Sequence, residues 1–159
     1  MNYIVVSISE MKVSNRSGDI LVAYSLGSCL GITVYDPVAH VGGMIHCMLP
    51  VSRIDPEKAQ QTPAMFVDTG VPALFQEAYR LGAKESRMIV KVAGGSRILD
   101  DDGTFKIGRR NYAVLRKVLW EHNVLIAAED VGGSFPRTMY LEIDTGKVTV
   151  RGRGKRTEL

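Results

Sequence analysis

Cysteine is scarce in this chain: Cys29 and Cys47 are the only two among 159 residues. Two thiols allow a single disulfide, which excludes a small secreted scaffold held by several bridges. Neither belongs to a C-x-x-C pair. The three histidines, His40, His46 and His122, lack H-x-x-x-H spacing, so no structural zinc is expected and no cofactor is implied. An excess of one charge is also missing. Twenty Lys+Arg stand against 17 Asp+Glu, and Arg151, Arg153, Lys155 and Arg156 alone exceed the surplus of +3. A near-neutral body without a basic stripe is not a nucleic-acid binder. No apolar run reaches the ~20 residues of a membrane span. The start, MNYIVVSISEMK, lacks the basic residues and small-residue cleavage site of a secretory leader. Gly94-Gly95-Ser96 and Gly132-Gly133-Ser134 lack the Lys-Ser/Thr ending of a phosphate loop and read as tight turns.

What is present is a globular composition, 45% hydrophobic and 23% charged. The expectation is a cytoplasmic chain with one domain over residues 1–150 and a disordered basic tail over 151–159. Ile/Val-rich segments predict strands at Tyr3–Ser7, Asp19–Tyr24, Leu30–Tyr35 and Val41–Leu49. The last two are joined by a turn opening on Asp36-Pro37. Apolar spacing predicts a helix over Thr62–Leu81, capped by Thr62-Pro63 and interrupted or kinked at Pro72. A second helix is predicted over Gly108–His122. Arg87–Val92 reads as a strand, and wholly apolar Val124–Ala128 as a central one. Met139–Ile143 and Val148–Arg151 form a closing hairpin. Many strands, two helices and hairpin connections define an α+β layered sandwich.

Two segments carry the candidate chemistry. In Ser25-Leu26-Gly27-Ser28-Cys29 a thiol follows a Gly-Ser turn whose backbone N–H groups can lower its pKa and cradle an oxyanion. In Ile45-His46-Cys47-Met48-Leu49-Pro50 an imidazole sits within a strand. Strand alternation sends His46 and Cys47 to opposite faces, which makes Cys29–His46 the pair to test. The competing interpretation is a buried free cysteine and a hydrogen-bonded core histidine.

SLGSCLGITVYDPVAHVGGMIHCMLP, KVAGGSRIL, FKIGRRNYAVLRKVL and IAAEDVGGSFPRTMYLEIDTGKVTVR follow one another over nearly the whole chain. In this the chain resembles the CheD family, the chemoreceptor glutamine deamidases of bacterial and archaeal chemotaxis. The resemblance implies a three-layer α/β/β sandwich similar to the catalytic domain of cytotoxic necrotizing factor toxins. It also implies hydrolysis of glutamine side-chain amides on the cytoplasmic helices of methyl-accepting chemoreceptors by a Cys-His-Thr triad. Cys29 then stands as nucleophile, His46 as base, and the backbone of Gly27, Ser28 and Cys29 as oxyanion donors. The family's threonine position is Ala23, with no hydroxyl; Ser25, two residues on along the strand, is the candidate replacement. Loss of the hydroxyl predicts a weakened enzyme, with Ala23→Thr raising turnover by roughly tenfold or more unless Ser25 has taken over the role, in which case Ser25→Ala depresses the rate.

Two alternatives accompany this reading. One is an adaptor that binds receptors and the CheY-P phosphatase CheC, as family members do. The other is a redox-sensitive scaffold with Cys29 and Cys47 paired. Ile107-Gly108-Arg109-Arg110-Asn111 matches the family's I-G-x-R-N pattern and reads as a first helical turn with solvated arginines in preference to a substrate contact. Glu129-Asp130 either lines the cleft or caps a turn.

Overall fold

A computed structural model of the chain describes residues 1–97 and 106–159. Ile98 and Leu99 of KVAGGSRIL and Phe105 of FKIGRRN lie outside the described residues. The strands are β1 (Asn2–Val5), β2 (Met11–Ser14), β3 (Asp19–Leu26), β4 (Leu30–Asp36), β5 (Val41–Cys47), β6 (Ile89–Gly94), β7 (Ile126–Val131), β8 (Arg137–Glu142), β9 (Val148–Gly152) and β10 (Lys155–Glu158). The helices are α1 (Pro56–Gln61), α2 (Val67–Arg80) and α3 (Ile107–Glu121). The fold is mixed α+β. One sheet runs β1-β3-β8-β9-β10 and the other β2-β5-β4-β6-β7.

Strand alternation explains the layering. On β4 and β5, Leu30, Ile32, Val34, Ile45 and Cys47 pack against Val67, Val71, Leu74 and Leu115 of the helices. Their neighbours Tyr35 and Met44 point the other way, into a second core with Leu21, Leu26, Met139, Leu141 and Val150 of the first sheet. Both faces of β4 and β5 are covered, so LGITVYD and VGGMIHC are buried throughout. The Asp36-Pro37 turn forms as expected. The Asp36 carboxylate accepts from the N–H groups of Val38 and Ala39 and pairs with Arg87 at 2.7 Å, which holds its carboxyl well below the usual range.

Several elements depart from the sequence reading. The long helix begins at Val67, not Thr62, and continues through Pro72. Thr62 instead closes α1, whose N-cap is Asp55, and Pro63 opens a separate 3₁₀ turn. Apolar Val124–Ala128 is not a central strand: among the described residues β7 pairs only with β6, at the sheet edge. Its apolar run straddles a loop and a strand. Val124 packs on the helix-side core before β7 begins, while Leu125 is 88% exposed. The basic C-terminal segment is ordered where its charge suggested disorder. Arg153 and Gly154, both at positive φ, make a two-residue turn that folds β10 back on β9. Lys91 Nζ donates to the Leu159 carbonyl at 2.8 Å and fastens the end.

Candidate active site

The β3–β4 connection carries the chain from one sheet to the other through Gly27-Ser28-Cys29. Directly across from His46 on the β4–β5 ladder stands Gly31. Cys29 lies two residues before Gly31, hence on the same face at a diagonal offset of roughly 7–8 Å, within reach of a long side chain. That face looks toward the first sheet, where Cys29 lies against its core. Cys47 points to the helix side and is fully buried. Both cysteines are free thiols, and the Cys29–Cys47 pairing is not formed.

His46 is 3% exposed and gripped by the segment between β1 and β2. Its backbone carbonyl accepts from Ser9 N–H, and its own N–H donates to the Glu10 carbonyl. Its Nδ1 lies 3.1 Å from the Val6 carbonyl oxygen. A carbonyl only accepts, so Nδ1 carries the proton and Nε2 keeps its lone pair. Nε2 is buried and has no hydrogen-bond partner among the described residues, the Cys29 thiol included. Burial pushes the His46 pKa down, against the Val6 carbonyl and the Glu10 carboxylate, which favour the imidazolium. The ring is therefore a neutral base at pH 7, oriented and unoccupied.

The expected orienting hydroxyl is absent from both positions. Ala23 is fully buried, while Ser25 is exposed with φ of 54°. A β-bulge between Ala23 and Leu26 breaks the alternation that would have put Ser25 on Ala23's face. Ser25 N–H donates instead to Thr138 Oγ1 at 3.3 Å. The group that holds Nδ1 is the Val6 carbonyl, not a side chain. With Nδ1 already held, Ala23→Thr is expected to change turnover by less than about twofold, and Ser25→Ala likewise. Two extra heavy atoms in the packed sheet-to-sheet core should also cost Ala23→Thr about 1–3 kcal/mol. Ammonia release and thermal melting of both variants check this; a tenfold gain from Ala23→Thr would show the ring is poorly held.

The Gly27-Ser28-Cys29 turn is pinned by its carbonyls. Gly27 C=O accepts from Ser96 N–H and Cys29 C=O from Gly95 N–H, each at 2.9 Å. Ser28 C=O accepts from Asn111 Nδ2 at 3.0 Å. In a trans peptide the next N–H points opposite to the carbonyl. The N–H groups of Ser28 and Cys29 thus face away from these anchors, and neither donates to another described residue. Gly94, at φ 106°, is required here, because a Cβ would overlap the Cys29 carbonyl oxygen. The turn does not lower the thiol's pKa: burial raises it, partly offset by its own N–H. Cys47, buried on all sides, is pushed further up. The resting pair is thiol and neutral imidazole.

Behind the Gly94-Gly95-Ser96 turn sits Arg137, 3% exposed. Its Nη1 reaches Ser96 Oγ and the Gly132 carbonyl, each at 2.7 Å, and its Nη2 pairs with Asp130 at 3.1 Å. Asp130 is thus a brace, and Glu129 accepts from Tyr112 at 2.6 Å. Arg109 and Arg110 are exposed, as read. Asn111, Arg137 and the Val6 carbonyl were not singled out from the sequence. The I-G-x-R-N spacing carries a signal for Asn111, since Gly108 and Asn111 share a helix face; a backbone carbonyl carries none.

A partly buried thiol and an imidazole with one nitrogen free lie on one sheet face beside two outward N–H groups, and thiol-dependent acyl transfer requires groups of these kinds. The profile described as CheD chemotactic sensory transduction matches residues 48–152. A probable chemoreceptor glutamine deamidase CheD 1 from Syntrophus aciditrophicus is 54% identical over 97% of this chain and 96% of its own. Others are a probable chemoreceptor glutamine deamidase CheD from Solibacter usitatus, 43% identical over 100% of this chain and 94% of its own, and one from Pyrococcus horikoshii, 39% identical over 95% and 93%. The chain belongs to the CheD family.

Proposed function

We propose that this chain hydrolyses glutamine side-chain amides on the cytoplasmic helices of chemoreceptors to glutamate, releasing ammonia. The observation that carries the reading is the free, buried Nε2 of His46, its tautomer set by the Val6 carbonyl, on the sheet face that bears Cys29. The names of the relatives supply the substrate class. Helices on one face of the second sheet and the first sheet on its other face support the likeness to the toxin catalytic domain. Among the described residues no helix is long and apolar enough to cross a membrane, which suits work in the cytoplasm.

The chemistry follows from the resting protonation states. Nε2 takes the thiol proton as Sγ attacks the glutamine Cδ, and the carbonyl π electrons move onto oxygen, held by the N–H groups of Ser28 and Cys29. The imidazolium is stabilised by the Val6 carbonyl and the Glu10 carboxylate. It returns its proton to the amide nitrogen, the C–N bond breaks, and ammonia leaves a thioester on Cys29. Water then attacks the thioester, giving one proton to Nε2, and that proton returns to the departing sulfur. No metal or redox step is needed.

The test is ammonia release from a purified receptor cytoplasmic fragment. Release well above a Cys29→Ala control is expected. Background release together with retained binding of the fragment and of a CheC-type phosphatase would replace the enzyme with the adaptor.

A further inference from the structure

Asn111 lies in the first turns of α3, fully buried. Its amide nitrogen has two hydrogens, and both are used on backbone carbonyls of different segments. One goes to Ser28 at 3.0 Å, the peptide that leads into Cys29. The other goes to Met48 at 3.2 Å, two residues beyond His46. Its Oδ1 is buried with no partner among the described residues. Both donors are spent on backbone carbonyls while the acceptor stays unsatisfied, an exception to the usual pairing of buried polar groups that calls for an explanation.

We propose that Asn111 is the positioning residue of the oxyanion hole: it fixes the Ser28–Cys29 peptide so that the Cys29 N–H faces the substrate carbonyl. The reading rests on the deamidase function above and extends it. Of the three carbonyls pinned in the turn, those of Gly27 and Cys29 are held by backbone N–H groups, and Ser28 alone by a side chain. Peptide planarity then converts the aim of the Ser28 carbonyl into the opposite aim of the Cys29 N–H. The Met48 bond anchors the same amide to the chain just beyond β5 and so fixes the aim of its other donor.

The I-G-x-R-N spacing is what this geometry needs. Gly108 lets α3 come in close, since a Cβ there would stand 2.6 Å from the Gly95 carbonyl carbon and oxygen. Asn111, three residues later, lies on the same helix face, while Arg109 and Arg110 point to solvent.

Asn111→Leu keeps the branching and heavy-atom count, is somewhat larger, and removes both donors; Asn111→Ser is smaller and keeps one hydroxyl donor. In folded protein each is expected to lower kcat for ammonia release by about tenfold to a hundredfold, with KM within about twofold, somewhat less than complete loss of an oxyanion donor. Cys29 alkylation by iodoacetamide, a displacement that forms no oxyanion, should keep its wild-type rate and pH profile. The proposal is overturned if either folded variant keeps kcat within about twofold of an active wild type. It is also overturned if alkylation falls in step with kcat, the mark of a merely structural brace. If wild type itself releases no ammonia above the Cys29→Ala background, the deamidase reading fails and the role of Asn111 with it. Should Asn111→Leu not fold, Asn111→Ser decides.

Discussion

Cys29→Ala is expected to cut ammonia release from receptor glutamines by at least about 10⁴-fold, to the level that binding and backbone donors supply without a nucleophile. The loss should be nearly complete because no second thiol can substitute. Cys47 is the only other cysteine, it faces the helix side, and burial suppresses its ionisation. Cys47→Ala, by contrast, should leave turnover near wild type and lower stability only modestly. Ammonia assays of the two variants, with melting curves to show both folded, separate the roles. A Cys29→Ala protein that still turns over would remove the nucleophile from its assigned position.

His46→Asn is expected to lower kcat by about 10²–10⁴-fold at pH 7. Asparagine places its amide nitrogen near the position of Nδ1, so the bond to the Val6 carbonyl survives while the Nε2 lone pair is lost. The pH dependence should also change. In wild type the base is free above its depressed pKa, so the rate falls only as pH drops below the ordinary histidine range, and it is level at neutral pH. In His46→Asn the thiol must ionise unaided, from a pKa that burial has raised, so the residual rate should climb through the alkaline range. A pH profile of kcat/KM for both proteins reads this directly. A variant that keeps the wild-type profile would show that His46 moves no proton.

Cys47 faces the helix side and His46 the opposite face because β5 is regular from Val41 to Cys47 and alternation there is strict. Ser25 breaks that alternation, because a bulge adds a residue and turns its side chain outward. Strand pairing order was not legible in the sequence. In VLIAA, Val124 packs on the helix-side core before the strand starts and Leu125 is exposed, so the apolar run does not mark a strand covered on both sides. Net charge hid the C-terminal strand, whose turn was written in Arg153-Gly154. The two side chains to which the proposal gives the chemistry are legible as Cys and His in recognisable motifs. Their supports are not: the group that orients His46 is a peptide carbonyl, whose presence no side chain announces.

Trapping the acyl-enzyme is the most direct test of the account. The protein is mixed with a receptor glutamine peptide, quenched in acid after a brief reaction and measured by intact mass and peptide mapping. The account predicts an adduct of protein plus peptide less one ammonia, mapped to Cys29, released by hydroxylamine and absent from Cys29→Ala. An adduct on another residue, or ammonia released at the wild-type rate by Cys29→Ala, would contradict it.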